Sequence, residues 1–335
     1  MGCGSSATRA HVTPTPAALA VSRGARRQTR PAPRRPPPAL PAGYAVLFAV
    51  DEYARFLSLK GAVADATALG AVLEQLGFEI AVTLYNAQCT PAAVESALLR
   101  AAETLPEHSR LCVFFAGHGK VHAPTGRVFY CTPQTHPERL PTTGFDLEKV
   151  HALRDFLPRH QLWVMDFCFS GGAAARSRGA MDDYAAFAAP SVQFMSAGNA
   201  QQLVSEIDTL TFGTDSPLCT PFGTPTPSPK HQPKEPKGGG FADPPARSAT
   251  TVSPARVGGL FAVVLVRVLR ALAQAQGAQR TNGGAPLRVS ATDIFLRVRR
   301  KVLRSSETLL GQLQTPQLDR QLWWRDDRAD GEFVF

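Results

Sequence analysis

The sequence predicts an α/β fold in which a mostly parallel sheet is covered by helices on both faces. Apolar runs of strand length recur along the chain, stretches of helical spacing separate them, and the runs are apolar continuously instead of alternately. Tyr44 to Val50 is the first such run, and Ala62 to Leu76 follows with helical spacing. Glu79 to Tyr85 reads as a strand, and Pro91 to Leu105 as a helix with proline at a permitted first-turn position. Arg110 to Ala116 and Gln161 to Phe167 are two more buried-type strands. Between them lie a hairpin-like stretch around Val128 to Cys131 and a helix from Asp146 to Leu157. Ser191 to Ala197 supplies a further strand, and Leu260 to Ala273 and Thr292 to Arg304 supply two late helices. No internal repeat is visible.

The 335 residues, 44% of them hydrophobic, suffice for a sizeable core without covalent staples. The formal charge of +9 comes from 36 basic and 27 acidic residues. Seven arginines, at positions 9, 23, 26, 27, 30, 34 and 35, precede Asp51, the first acidic residue, and removing those 7 from the 36 leaves 29 against 27. The basicity belongs to the amino-terminal segment, so no nucleic-acid partner is expected for the folded part. Cys3, Cys89, Cys112, Cys131, Cys168 and Cys219 are scattered, with neither Cys-x-x-Cys pairs nor zinc spacing, which argues against a metal site or a secreted disulfide framework and for a reducing, cytoplasmic setting. The apolar stretch Leu260 to Ala273, interrupted by Arg267 and Arg270, is shorter than the ~20 residues of a membrane span.

Residues 1–43, rich in Ala, Arg, Ser and Pro, lack acidic residues and apolar periodicity and read as a disordered tail ahead of one domain spanning 44–335. Met1-Gly2-Cys3-Gly4-Ser5-Ser6 satisfies the pattern for myristoylation of Gly2, with Cys3 placed for a second acyl chain. The tail is thus a candidate membrane anchor on an anionic leaflet. An Arg-rich, acid-free leader also fits a cleaved organellar transit peptide. A second break, about 213–256, holds ten prolines, Gly238-Gly239-Gly240 and Lys230, Lys234 and Lys237, and reads as a long loop inside the domain.

Ligands of open parallel sheets bind beyond the carboxyl ends of the strands. One predicted strand ends in Phe114-Phe115-Ala116-Gly117-His118-Gly119, another in Met165-Asp166-Phe167-Cys168-Phe169-Ser170-Gly171-Gly172. If these strands are neighbours, His118 and Cys168 meet at one edge. A thiol with an ordinary pKa of about 8.5 is only a few per cent ionised at neutral pH and needs a base, which His118 could supply. The flanking glycines leave backbone bare, so the amides of Gly119 and Cys168 could hold the oxyanion of a tetrahedral intermediate. Taken singly, a strand-end cysteine is most often a small core residue and a Gly-His-Gly histidine a loop residue. Their separation of 50 residues, each at the end of an apolar strand, favours the joint reading.

These motifs resemble those of the caspase-like cysteine peptidases, in the metacaspase, paracaspase and bacterial caspase-homologue branch. Gly117-His118-Gly119 and Asp166-Phe167-Cys168-Phe169-Ser170-Gly171 carry the resemblance. Further echoes are Gly61 to Ala66, Gly77-Phe78, Ser196-Ala197-Gly198-Asn199, Gly259-Leu260-Phe261 and Gln314-Thr315-Pro316. The resemblance spans roughly residues 44–318 and implies a caspase-like three-layer sandwich and a cysteine endopeptidase. It further implies that Asp166 and Asp65 form an acidic pocket for Arg or Lys just before the scissile bond of a protein or peptide substrate. Paired, partly buried carboxylates suit that role, since they receive a guanidinium and repel an acidic side chain. Taken alone, Asp65 fits a helix-surface carboxylate as well as a pocket wall.

One departure concerns calcium, which many metacaspases bind with an acidic residue seven positions after the cysteine. Ala175 stands there, with Asp182 and Asp183 nearby, so no cofactor and at most weak calcium dependence are expected. Lys230, Lys234, Lys237, Arg247 and Arg256 are candidate self-cleavage positions in the loop, and Arg176 and Arg178 lie just past the cysteine. The rival reading is a catalytically weak, membrane-tethered scaffold acting through tail and loop. Dinucleotide binding lacks a Gly-x-Gly-x-x-Gly after the first strand, and a cysteine phosphatase would need arginine where Ala174 stands.

Overall fold

The computed structural model describes residues 39–168, 189–198, 206–208, 257–283, 287–319 and 331–335. The chain runs through β1 (Gly43–Ala49), α1 (Ala62–Gln75), β2 (Phe78–Tyr85), α2 (Pro91–Thr104) and β3 (Arg110–Ala116). Next come β4 (Gly119–His122), β5 (Arg127–Tyr130), the short α3 (Leu140–Thr143), β6 (Phe145–Asp146) and α4 (Glu148–Arg154). After β7 (His160–Asp166) and β8 (Ser191–Ser196) stand β9 (Glu206–Asp208), β10 (Val257–Gly259), α5 (Leu260–Thr281), α6 (Ala291–Leu310) and β11 (Gln317–Asp319). The tail through Pro38, with Gly2 and Cys3, and the 213–256 segment lie outside the described residues, as do Ala175, Asp182 and Asp183.

The main sheet has the order β11-β8-β7-β3-β1-β2. All neighbours are parallel except β11, which runs antiparallel to β8. Two smaller antiparallel sheets, β4-β5-β6 and β9-β10, flank it. Side chains alternate across a strand, so a run apolar at every position feeds two cores. Leu47, Phe114 and Val164 pack with α1, α5 and α6 on one face, while Phe48, Phe115 and Trp163 pack with α2, Val128 and Val150 on the other. This parity governs the site, because Asp166 falls on the α1 and α5 side with Leu162 and Val164, and Phe167 on the opposite side.

Local chemistry fixes the element ends. The Thr90 hydroxyl accepts from Ala93 N–H at 3.1 Å and caps α2, whose first residue is Pro91. Asp51 caps α1 from eleven residues upstream, its carboxylate oxygens accepting from Ala62 N–H at 2.8 Å and Val63 N–H at 3.2 Å. Ser290 caps α6, and Gly311 ends it in the left-handed region at φ 61°.

Three expectations change. The Asp146 to Leu157 segment is helical only over Glu148–Arg154, because Phe145 and Asp146 are spent pairing β6 with β5. Cys131 lies just beyond β5, not within a strand. Helix α5 extends past Ala273 to Thr281, 22 residues, and by length and composition matches a membrane-crossing helix. Here its apolar side chains from Leu260 to Leu272 pack into the core with α1 and α6.

The last five residues fill the amino-terminal edge of the sheet. Phe333 and Phe335 are buried against Phe78, with ring centroids 6.2 Å from it in each case. The Arg110 guanidinium lies 4.5 Å over the Phe78 ring and donates to the carbonyls of Pro41 and Val334 at 2.9 and 2.8 Å.

Candidate active site

Strands β3 and β7 are adjacent and in step, Ala116 facing Asp166 as register partners. His118 and Cys168 each lie two residues beyond that pair, on chains about 4.8 Å apart in the sheet. The structure thus brings both sequence-predicted reactive residues to one sheet edge. Gly117 N–H donates to the Asp166 carbonyl at 3.3 Å and keeps the two ends together as the strands finish.

Glycines 117 and 119 are required there for steric reasons. Gly117 adopts φ +147°, and a Cβ on it would come 2.4 Å from the Tyr53 hydroxyl. A Cβ on Gly119 would come 2.3 Å from the Phe167 ring and 2.5 Å from the Cys168 carbonyl oxygen. Gly119 therefore lies directly against the cysteine segment, and its backbone and that of Cys168 share one small space. Cys168 is partly exposed, whereas Cys89, Cys112 and Cys131 are buried. Burial pushes those three thiols up to about 12, which keeps them protonated.

The environment of His118 comes from a loop between β1 and α1. Its backbone N–H donates to the Tyr53 hydroxyl at 2.8 Å, and its ring lies 4.8 Å from the Tyr53 ring and 5.7 Å from the Phe56 ring. Burial holds the Tyr53 hydroxyl protonated, well above its ordinary range. His118 Nε2 is 2.8 Å from the Leu57 carbonyl oxygen. A carbonyl only accepts, so Nε2 carries the hydrogen, and the neutral tautomer this contact selects is the one with its lone pair on Nδ1. Tyr53 and Leu57 escaped the sequence reading. A backbone carbonyl has no residue signature, and Tyr53 sits in a stretch without periodicity.

Asp65 and Asp166 do meet. Both are 6% exposed, and they converge on Gly259, where β10 turns into α5. Asp65 Oδ2 accepts from Gly259 N–H at 2.7 Å, and a Cβ on Gly259 would come 2.5 Å from Asp166 Oδ2. A Cβ on Gly258 would lie 2.5 Å from Asp65 Oδ1. Burial, then the Asp166 carboxylate, push the Asp65 carboxyl up to about 8. Burial pushes Asp166 up to about 7, against a hydrogen bond from Ala262 N–H in the first turn of α5 that opposes the shift. Asp166 Oδ1 is buried without a hydrogen-bond partner among the described residues.

A third carboxylate, Glu206, joins them. It is the register partner of Gly259 in the β9-β10 pair, and its charge also raises both aspartates. Its Oε1 accepts from Lys60 N–H and Gly61 N–H, each at 2.8 Å. Nothing in the sequence singles out Glu206, since β9 is three residues long and stands apart from any apolar run. Among the described residues no group of three or more His, Cys, Asp or Glu side chains has the arrangement to hold a metal ion.

A six-stranded, mostly parallel sheet between two helical layers, with histidine and cysteine loops at the carboxyl ends of adjacent strands, is the caspase fold. The sequence profile of the caspase domain matches residues 42–323, and the chain belongs to that family, whose members are cysteine peptidases. No curated protein sequence matches it. Among solved structures it is similar to caspase-1 of Spodoptera frugiperda, at 15% identity and a TM-score of 0.46, covering 84% of this chain and 88% of that one. It is also similar to a structural-genomics protein of Geobacter sulfurreducens, at 16% identity and a TM-score of 0.48, covering 83% of this chain and 93% of that one.

Proposed function

We propose that this protein is a cysteine endopeptidase that cuts after Arg or Lys, with Cys168 as nucleophile and His118 as general base. The observation that supports it most is the common register of His118 and Cys168 beyond the paired residues Ala116 and Asp166. In this reading the Cys168 thiol gives its proton to His118 Nδ1 and Sγ attacks the scissile carbonyl carbon. The amides of Gly119 and Cys168 stabilise the resulting oxyanion. The imidazolium returns the proton to the leaving amine as the C–N bond breaks, leaving a thioester. Water, deprotonated by His118, then releases the acid and regenerates the thiol.

The preference for a basic residue rests on Asp65, Asp166 and Glu206. Asp65 and Asp166 are buried together at Gly259 with Glu206 as its register partner, Asp166 Oδ1 has no hydrogen-bond partner among the described residues, and an incoming guanidinium offers the aspartates paired, charge-assisted hydrogen bonds. An acidic side chain in the same place would meet only repulsion. Self-processing at the basic residues of the 213–256 segment, and anchoring through Gly2 and Cys3, extend the same reading to the rest of the chain.

Fluorogenic peptides ending in Arg, Lys or Asp, offered to the protein and to Cys168→Ala with and without calcium, test it. Cleavage after Arg or Lys that disappears in Cys168→Ala is expected, with cuts in 213–256 visible by intact mass. Equal silence from both proteins, with identical masses, would sink the peptidase reading in favour of the scaffold.

A further inference from the structure

The loop between Val50 and Gly61 carries the Leu57 carbonyl to His118, yet the Leu57 side chain is 86% exposed and anchors nothing. Tyr53 and Leu59 pack against the core on either side of it, and hydrogen bonds hold the two ends of the loop. At the start of the loop, Asp51 N–H and Glu52 N–H donate to Asn86 Oδ1 at 2.8 and 3.2 Å, from a residue itself held at φ 46°. Ala54 N–H donates to the Pro133 carbonyl at 2.9 Å, and Leu59 N–H to the Asp51 carbonyl at 2.8 Å. The far end, three residues past Leu57, is held by Glu206, whose Oε1 takes both Lys60 N–H and Gly61 N–H at 2.8 Å.

We propose that Glu206 is a positioning residue for His118. From β9 it clamps the end of the loop whose Leu57 carbonyl orients the imidazole, so one side chain serves both the carboxylate pocket and the alignment of the base. The proposal rests on the reading of His118 and Cys168 given above. Two amides sharing one anionic oxygen form a compact, charge-assisted clamp across 146 and 145 residues of sequence. Without it, the Lys60 and Gly61 amides turn to water and the loop end gains freedom. The Leu57 oxygen then drifts from Nε2, and His118 loses the bond that fixes its tautomer and ring plane. Glu206 holds the loop by its bonds to Lys60 and Gly61, and the effect proposed for it on His118 passes through the loop.

The charge and the clamp can be separated, because glutamine keeps an Oε1 acceptor and loses the charge, while alanine loses both. The primary readout is the rate at which iodoacetamide alkylates Cys168, followed on its own peptide by mass spectrometry. That rate follows the thiolate fraction and needs no substrate. Glu206→Ala is expected to slow alkylation about tenfold and Glu206→Gln to stay within about twofold of the parent. With an Arg peptide, both substitutions should raise KM, and Glu206→Ala should lower kcat further than Glu206→Gln does. Thermal melting and circular dichroism accompany each variant. If Glu206→Ala fails to fold, Glu206→Asp, one methylene short of the two amides, replaces it and should slow alkylation measurably. Alkylation at the parent rate in the alanine or aspartate variant, or equal loss in glutamine and alanine, overturns the proposal. Parent protein that cuts no peptide while alkylation still separates alanine from glutamine would count against the peptidase reading and leave the clamp standing.

Discussion

Gly119 lies so close to Cys168 that a single added methyl would stand 2.5 Å from the cysteine's carbonyl oxygen. The histidine and cysteine motifs are thus one packed unit at the end of the sheet. The glycine after His118 is what permits the approach.

Gly119→Ala should therefore separate the two motifs. The added carbon meets backbone and the buried Phe167 ring, neither of which can swing away, so a cost of about 1–3 kcal/mol in stability is expected. Cys168 alkylation and Arg-peptide cleavage should fall by about two orders of magnitude. Equilibrium urea unfolding and alkylation kinetics on the same preparation check both effects.

The second glycine pair makes a different forecast. Gly259→Ala drives a methyl toward Asp166 Oδ2, and Gly258→Ala one toward Asp65 Oδ1. Either change should displace a pocket carboxylate while leaving Gly119 and His118 untouched. KM for an Arg peptide should rise about tenfold or more, while alkylation of Cys168 stays near the parent rate. Loss of alkylation in parallel with KM would show that the pocket and the reactive residues are not separable in this way.

Much of this arrangement could be read from the sequence, because strand burial writes itself as continuous apolar runs. Those runs located β1, β3, β7 and β8 to within a residue or two, and with them the positions of His118 and Cys168. The parity of β7 further places Asp166 on the α1 side, which makes its meeting with Asp65 intelligible. What could not be read were contacts made by backbone or by isolated short elements. Leu57 acts through a carbonyl, Glu206 stands in a three-residue strand, and Phe333-Val334-Phe335 is an apolar run too short to imply its place under β3.

That last run leads to a stability forecast. Phe333 is fully buried, and its ring packs against those of Phe78 and Phe335 at centroid distances of 6.2 and 5.3 Å. Its N–H also donates to Gln193 Oε1 at 2.8 Å, tying the terminus to β8. Phe333→Ala should cost about 3–5 kcal/mol, read as a lower urea midpoint. Phe333→Leu, which fills most of the space, should cost less than half of that. Similar midpoints for the alanine variant and the parent would show that this edge does not belong to the cooperative unit.

The raised carboxyls of the pocket set a pH dependence with a definite sign. Asp65 at about 8 and Asp166 at about 7 hold protons that the unfolded chain releases near the ordinary value of 3.8. The native state therefore binds more protons than the unfolded one across this range. Their contribution to stability is fully present below about pH 4 and is lost as pH rises, levelling off above about pH 8. Replacing both with Asn removes the difference, so the double variant should lose less stability than the parent between about pH 5 and 8. Substrate binding should run the opposite way, because a guanidinium stays charged throughout and prefers both carboxylates ionised. KM for an Arg peptide should fall as pH rises from about 6 to 8.5, with one proton or more released per ligand bound. Asp166→Asn should flatten that profile at a higher KM. A KM independent of pH in the parent would mean that the two aspartates are not where the basic side chain binds.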